Sequence, residues 1–159
     1  MKYTGIEELR AAGFTGFKTV ADMKSGGCRE LPPAGGVYMI VRPDDSKPHF
    51  LPVGSGGHFK GQDPNVTVEE LQANWVDGTC VLYIGKATSL KKRLSQYMRF
   101  GGGSNVGHWG GRYIWQLENV DRMLVCWKTT TERPRDVEKK MIAEFKKQFG
   151  RWPFANLQS

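Results

Sequence analysis

Long apolar runs are missing from this sequence. No stretch approaches the ~20 residues that a membrane-spanning helix needs, which argues against a transmembrane protein. The opening residues Met1-Lys2-Tyr3-Thr4-Gly5 lead straight into the charged Glu7-Glu8 pair, so no secretory leader is visible and a cytoplasmic location is expected. Cysteine is scarce: Cys28, Cys80 and Cys126 are odd in number, and no two stand at metal-ligand spacing. A disulfide framework and a zinc knuckle are both excluded. Acidic residues are the minority, 16 against 23 Lys and Arg, which leaves a net charge of +7. A surplus of that sign suits a polyanionic partner, above all nucleic acid. Repeats and low-complexity tracts are also absent. What remains is 159 residues, 39% hydrophobic and 25% charged, enough to bury one core without staples.

Local patterns divide the chain. Ile6 to Ala12 and Val20 to Lys24 are helical in pattern, stopped by Gly13 and by Gly26-Gly27. Residues 1–34 therefore read as a helical N-terminal extension and 35–157 as the main domain. Val37 to Val41 is a β-branched and aromatic strand, ended by Pro43-Asp44-Asp45. Residues 43–79 are polar and rich in Gly and Pro, a long insertion with one short helix from Val68 to Trp75. Cys80 to Ile84 is a second strand and Ser89 to Phe100 a helix, stopped by three glycines. Tyr113–Leu117 and Met123–Trp127 read as the two strands of a hairpin around residues 118–121. A last helix starts near Pro134 and ends at Gly150. The expected fold is α+β, with a small, mainly antiparallel sheet of three to four strands flanked by helices.

Several residues depart from this patterning. On the last helix Val137, Met141, Ile142, Phe145 and Phe149 share one arc, and the lysines at 139, 140, 146 and 147 oppose them. Glu138 falls within the apolar arc, where a carboxylate is costly unless it is paired or binds a cation. It is either half of a structural ion pair or a metal ligand or acid–base group. Arg93 lies at the edge of the Leu90–Leu94–Met98 stripe, one turn before Tyr97, so the two side chains can converge. Arg93 is also the natural partner for Glu138. Strand alternation places Tyr38 opposite Val37 and Met39, and Tyr83 opposite Leu82 and Ile84. Tyrosine in a strand is ordinarily good packing, but Gly36 and Gly85 stand two residues away and permit a close approach. Two loops combine glycines with aromatic and basic residues, His58 and Lys60 in one, His108, Trp109 and Arg112 in the other. Their composition suits contact with a nucleic-acid backbone or an unstacked base.

Taken together, Gly36-Val37-Tyr38, Tyr83-Ile84-Gly85, Arg93 with Tyr97, Glu138 and Pro153-Phe154-Ala155-Asn156 resemble, in order, the motifs of the GIY-YIG nuclease superfamily. The stretch from Leu82 to Tyr97 is especially similar to the nuclease module of the bacterial excision-repair incision protein. The resemblance covers residues 36–156. It implies a divalent-metal-dependent endonuclease that hydrolyses DNA phosphodiester bonds, on a branched, damaged or foreign substrate, with one Mg²⁺ or Mn²⁺ ion. Carried over by position, Glu138 is the metal ligand and Tyr38 the base or water-positioning group. Arg93 and Tyr97 hold the scissile phosphate with Tyr83 beside them, Lys86 assists, and Asn156 braces the site. The gap between Tyr38 and Tyr83 is much longer than is usual in the family, and the first thirty residues have no counterpart in its minimal domain. The rival expectations are a catalytically silent nucleic-acid-binding module and a structural or protein-interaction domain built on an Arg93–Glu138 pair.

Overall fold

The structure, a computed structural model, describes residues 1–157. Five helices and four strands alternate along the chain: α1 (Ile6–Ala11), β1 (Thr15–Thr19), α2 (Val20–Lys24), β2 (Gly36–Val41), α3 (Val68–Asn74), β3 (Val81–Ala87), α4 (Leu90–Gly101), β4 (Leu124–Thr129) and α5 (Pro134–Phe149). The strands form one antiparallel sheet in the order β1-β4-β2-β3. The fold is α+β. Among the described residues no helix is long and apolar enough to cross a membrane.

Both faces of the sheet are covered, which explains why β2 is buried along its whole length. On one face Tyr38, Ile40, Leu82 and Tyr83 pack with Leu90, Leu94 and Tyr97 of α4. On the other, Val37, Met39, Ile84 and Cys126 pack with Met141 and Phe145 of α5 and with Tyr3, Leu9 and Phe14 from the N-terminal segment. Each fully buried large apolar side chain contributes on the order of 1.5–3 kcal/mol. The ends of the two long helices follow from sequence. Ser89 caps α4 by accepting from the Lys92 amide, and Pro134 occupies the first turn of α5, where no N–H is needed.

Two expectations are corrected. The first 34 residues are not only helical, since Thr15–Thr19 is an edge strand paired with β4. Its register shifts between Gly16 and Lys18, with Phe17 at φ 52°, and this bulge hides the alternation by which a strand is read. The hairpin does not form. Residues Arg112–Gln116 are a 3₁₀ turn with Tyr113, Ile114, Trp115 and Gln116 all buried, so no face of the segment is left for solvent. Its backbone joins the insertion instead: Leu51 and Ser55 donate to the carbonyls of Gln116 and Trp115, and Phe50 bridges to Leu117. The Gln116 side chain adds bonds to Leu51 and Val66. The segment 43–79 is thus latched to the domain rather than looped away from it.

Candidate active site

Three phenols meet on the α4 face of the sheet. The ring centroids of Tyr38 and Tyr83 are 6.0 Å apart, of Tyr38 and Tyr97 6.3 Å, and of Tyr83 and Tyr97 5.6 Å. Gly85 pairs with Tyr38 across the sheet, and a Cβ there would overlap the Tyr38 ring. Gly36 likewise admits the Lys128 carbonyl. The small residues of the two motifs are therefore packing requirements of the cluster. Burial pushes all three phenols up: Tyr83 to about 12, Tyr38 and Tyr97 well above the ordinary value, against a smaller opposing pull from Arg93.

A fourth ring completes the cluster. His108, expected to contact substrate from its loop, is instead fully buried. Its ring stacks on Tyr97 with centroids 3.9 Å apart, and its Nε2 lies 2.8 Å from the Tyr38 hydroxyl. Nδ1 lies 2.8 Å from the Gly110 carbonyl, which can only accept. Nδ1 therefore carries the proton, and the Tyr38 hydroxyl donates to Nε2. Burial, reinforced by the Arg93 charge, lowers His108 to about 3, so the imidazole is neutral. Moving the Tyr38 proton onto it would run against both groups, since burial raises the phenol and lowers the imidazole. His108 orients Tyr38 and does not ionise it. Tyr97, expected to face a phosphate, donates to the Gly111 carbonyl at 2.7 Å and so ties down the same loop.

Glu138 approaches from the other side of the sheet. α5 packs against the opposite face from α4, and Glu138 meets the free edge of β3 at Lys86, Oε1 to Nζ 3.5 Å. It is largely buried, at 18% side-chain exposure, and desolvation raises its pKa against the opposing Lys86 charge. The same carboxylate adds to the rise of Tyr83, and of neither other phenol. The Arg93–Glu138 pair does not form. Arg93 donates to the Gly107 carbonyl at 2.9 Å and to Gln96 at 3.1 Å. Asn156 clasps β3 from outside: Nδ2 donates to the Ile84 carbonyl and Oδ1 accepts from the Ile84 amide, both at 2.9 Å. These bonds occupy backbone groups that an edge strand otherwise leaves open.

Lys86 and Arg93 open onto a cleft of about 600 Å³ between α4 and the start of α5. Lys92, Arg133 and Arg135 also line it; among the described residues no carboxylate does, although Arg133 pairs with Asp136 at 3.0 Å and Lys86 with Glu138. None of Lys92, Arg133 and Arg135 stands out from the sequence as a candidate. The signal for the two arginines was the Arg133-Pro134-Arg135 run at the head of the Glu138 helix. The first turn of α4 holds Lys91, Lys92 and Arg93 with no acidic residue, against the helix dipole at about 0.3–1 kcal/mol each. A bound anion reverses that cost.

The remaining loop residues lie outside the phenol cluster. His58 is exposed, with Nε2 3.7 Å from Asp63. Lys60 is exposed, and its backbone donates to Asn105. Arg112 stacks over Trp109 at 4.7 Å, half-buried and lowered by desolvation. Comparison with family models, with curated proteins and with solved structures returns no match. Among the described residues no three His, Cys, Asp or Glu gather as a metal cage. A single carboxylate beside a cation-lined cleft still fits a magnesium-type ion, which keeps several waters and takes substrate oxygens.

Proposed function

We propose that this chain is a divalent-metal-dependent endonuclease that hydrolyses DNA phosphodiester bonds in the manner of the GIY-YIG superfamily. The observation that carries this reading is Lys86 on the β3 edge, which lines a cleft of cations and pairs at 3.5 Å with a largely buried carboxylate that comes from the face of the sheet opposite the phenols. Arg93 and Lys86 bind and orient the phosphate, Arg93 through planar donors that stay charged. Glu138, released from Lys86, would hold the ion, which supplies polarisation of a phosphoryl oxygen and stabilisation of the leaving oxyanion. The Tyr38 hydrogen is committed to His108, so its oxygen keeps lone pairs with which to accept from an attacking water. Tyr38 is only 1% exposed and Tyr83 8%, so water reaches Tyr38 past Tyr83 or after the 104–111 loop shifts.

That burial favours one alternative, a module of the same fold that binds DNA without turning it over. Incubating plasmid and branched DNA with Mg²⁺ or Mn²⁺ separates the two. The nuclease cleaves and its Glu138→Gln variant binds without cleaving; a silent module binds in both forms and cleaves in neither. No binding and no cleavage by the native protein defeats both.

A further inference from the structure

Helix α4 has a second cationic groove on its other side. The cleft described above takes Lys92, Arg93 and Gln96 from this helix, whereas Lys91, Ser95, Met98 and Arg99 face a separate groove of about 480 Å³ between α4 and the α2 region. Arg29 and Lys24 close its far wall, and among the described residues no acidic side chain lines it. Lys24 is neutralised by Asp121 at 2.8 Å. Arg29, Lys91 and Arg99 are exposed and make no ion pair among the described residues. Lys91 faces the groove and Lys92, the next residue on the helix, faces the cleft, so α4 presents a lysine on each of its two flanks. The floor differs from the rim: it is formed by the outer edges of Met23, Cys28 and Met98, core residues that are only 2%, 7% and 5% exposed.

We infer that this groove holds a single-stranded segment of the DNA substrate, led over α4 from the cleft. The inference rests on the nuclease reading and narrows it to DNA with an unpaired arm. Duplex DNA offers a protein surface its phosphates and keeps its base faces stacked inside, so an apolar floor has nothing to bind. A single strand offers both, phosphates to the rim and an unstacked base to the floor, where thioether and thiol sulfur make favourable contacts with aromatic faces. The groove is of the size that encloses a small organic ligand, the scale of one nucleotide, and is too small for a duplex.

The test compares the native protein with the Arg29→Ala, Lys91→Ala, Arg99→Ala triple variant. All three positions are exposed and none belongs to the proposed catalytic set. Fluorescence anisotropy in EDTA measures affinity for a blunt duplex and for the same duplex with a single-stranded tail, across a salt series. The native protein prefers the tailed DNA. The variant loses that preference, and its log-affinity slope against log-salt on tailed DNA falls by about 2, three contacts at about 0.7 each. Between about 50 and 200 mM salt that difference corresponds to roughly 20-fold in affinity. A variant with unaltered tail preference and slope overturns the inference and leaves the nuclease reading standing. A native protein that binds neither DNA overturns both.

Discussion

Replacing His108 with phenylalanine probes the phenol cluster without reference to any activity. The ring survives to stack on Tyr97, but the acceptor for Tyr38 and the donor to Gly110 disappear. The decisive readout is pH dependence. In the unfolded chain a histidine titrates near 6.5, whereas in the folded protein His108 titrates at about 3. Between these values the unfolded state takes up a proton that the folded state refuses. Stability from this group is therefore complete above about pH 6.5 and is lost as pH falls, by about 1.4 kcal/mol per unit. At about pH 5 the loss is about 2 kcal/mol, a large share of the 5–15 kcal/mol typical of a domain. His49 and His58 are exposed and common to both proteins, and so are the carboxylates, so their contributions cancel in the comparison. Urea unfolding followed by tryptophan fluorescence at about pH 7.5 and pH 5 measures the difference, and His108→Phe should lose about 2 kcal/mol less than the native protein. His108→Gln, which restores an acceptor without the titration, guards against a phenylalanine variant that fails to fold. Parallel pH curves for native and variant proteins would refute the buried neutral imidazole.

The other predictions concern neighbouring contacts. Tyr38→Phe and His108→Phe each orphan a buried polar atom at about 1–3 kcal/mol, but the double variant orphans neither, so a denaturation cycle should be non-additive. Strict additivity would mean that the bond is absent. Gly85→Ala drives a methyl into the Tyr38 ring and should lower stability by about 1–3 kcal/mol on thermal melting, and an unchanged melt would show that the two do not touch. Glu138→Gln should abolish cleavage while leaving DNA affinity and the melting transition nearly intact, because its partner Lys86 is half exposed and returns to water; retained cleavage would remove Glu138 as metal ligand. Asn156→Ala frees both backbone groups of Ile84, and hydrogen exchange at that amide should accelerate markedly.

How far the sequence could be read depended on how each signal is encoded. Strands β2 and β3 and helices α4 and α5 were legible because their periodicity is strong and Gly or Pro marks their ends. Alternation allowed the tyrosines one face only if β2 and β3 pair, which they do; it also set Leu82 opposite Tyr83, whereas the register shift beside them brings both into one cluster. β1 was not legible: Gly16 and Phe17 form a bulge whose reason is the Trp127 ring lying over Gly16, and that contact spans more than a hundred residues of chain. Tyr113–Leu117 was misread because its β-branched and aromatic residues serve burial on all sides and not a pleated face. Glu138 was rightly singled out as unusual, but its partner was misassigned, since nothing in one helix says that Lys86 on the neighbouring edge lies nearer than Arg93. His108 carried no signal beyond its type. Its role follows from the loop folding back onto α4, where Arg93 and Tyr97 hold the carbonyls of Gly107 and Gly111.

The strand order β1-β4-β2-β3 has a consequence for how the chain acquires its structure. β4 is one of the two central strands and the last of these four to be synthesised, and it pairs on one side with β1, where Thr15 meets Trp127 across 112 residues of chain. Only β2 and β3 can zip together before residues 124–129 emerge from the ribosome, and the long insertion between them must be closed first. The first strand then waits, unpaired, until residues 124–129 have been made. Such long-range closures are slow because their entropy is lost before their contacts are gained. Folding should accordingly be a single late event in the milliseconds-to-seconds range, with no stable N-terminal half, and chains truncated before β4 should be captured by chaperones or degraded.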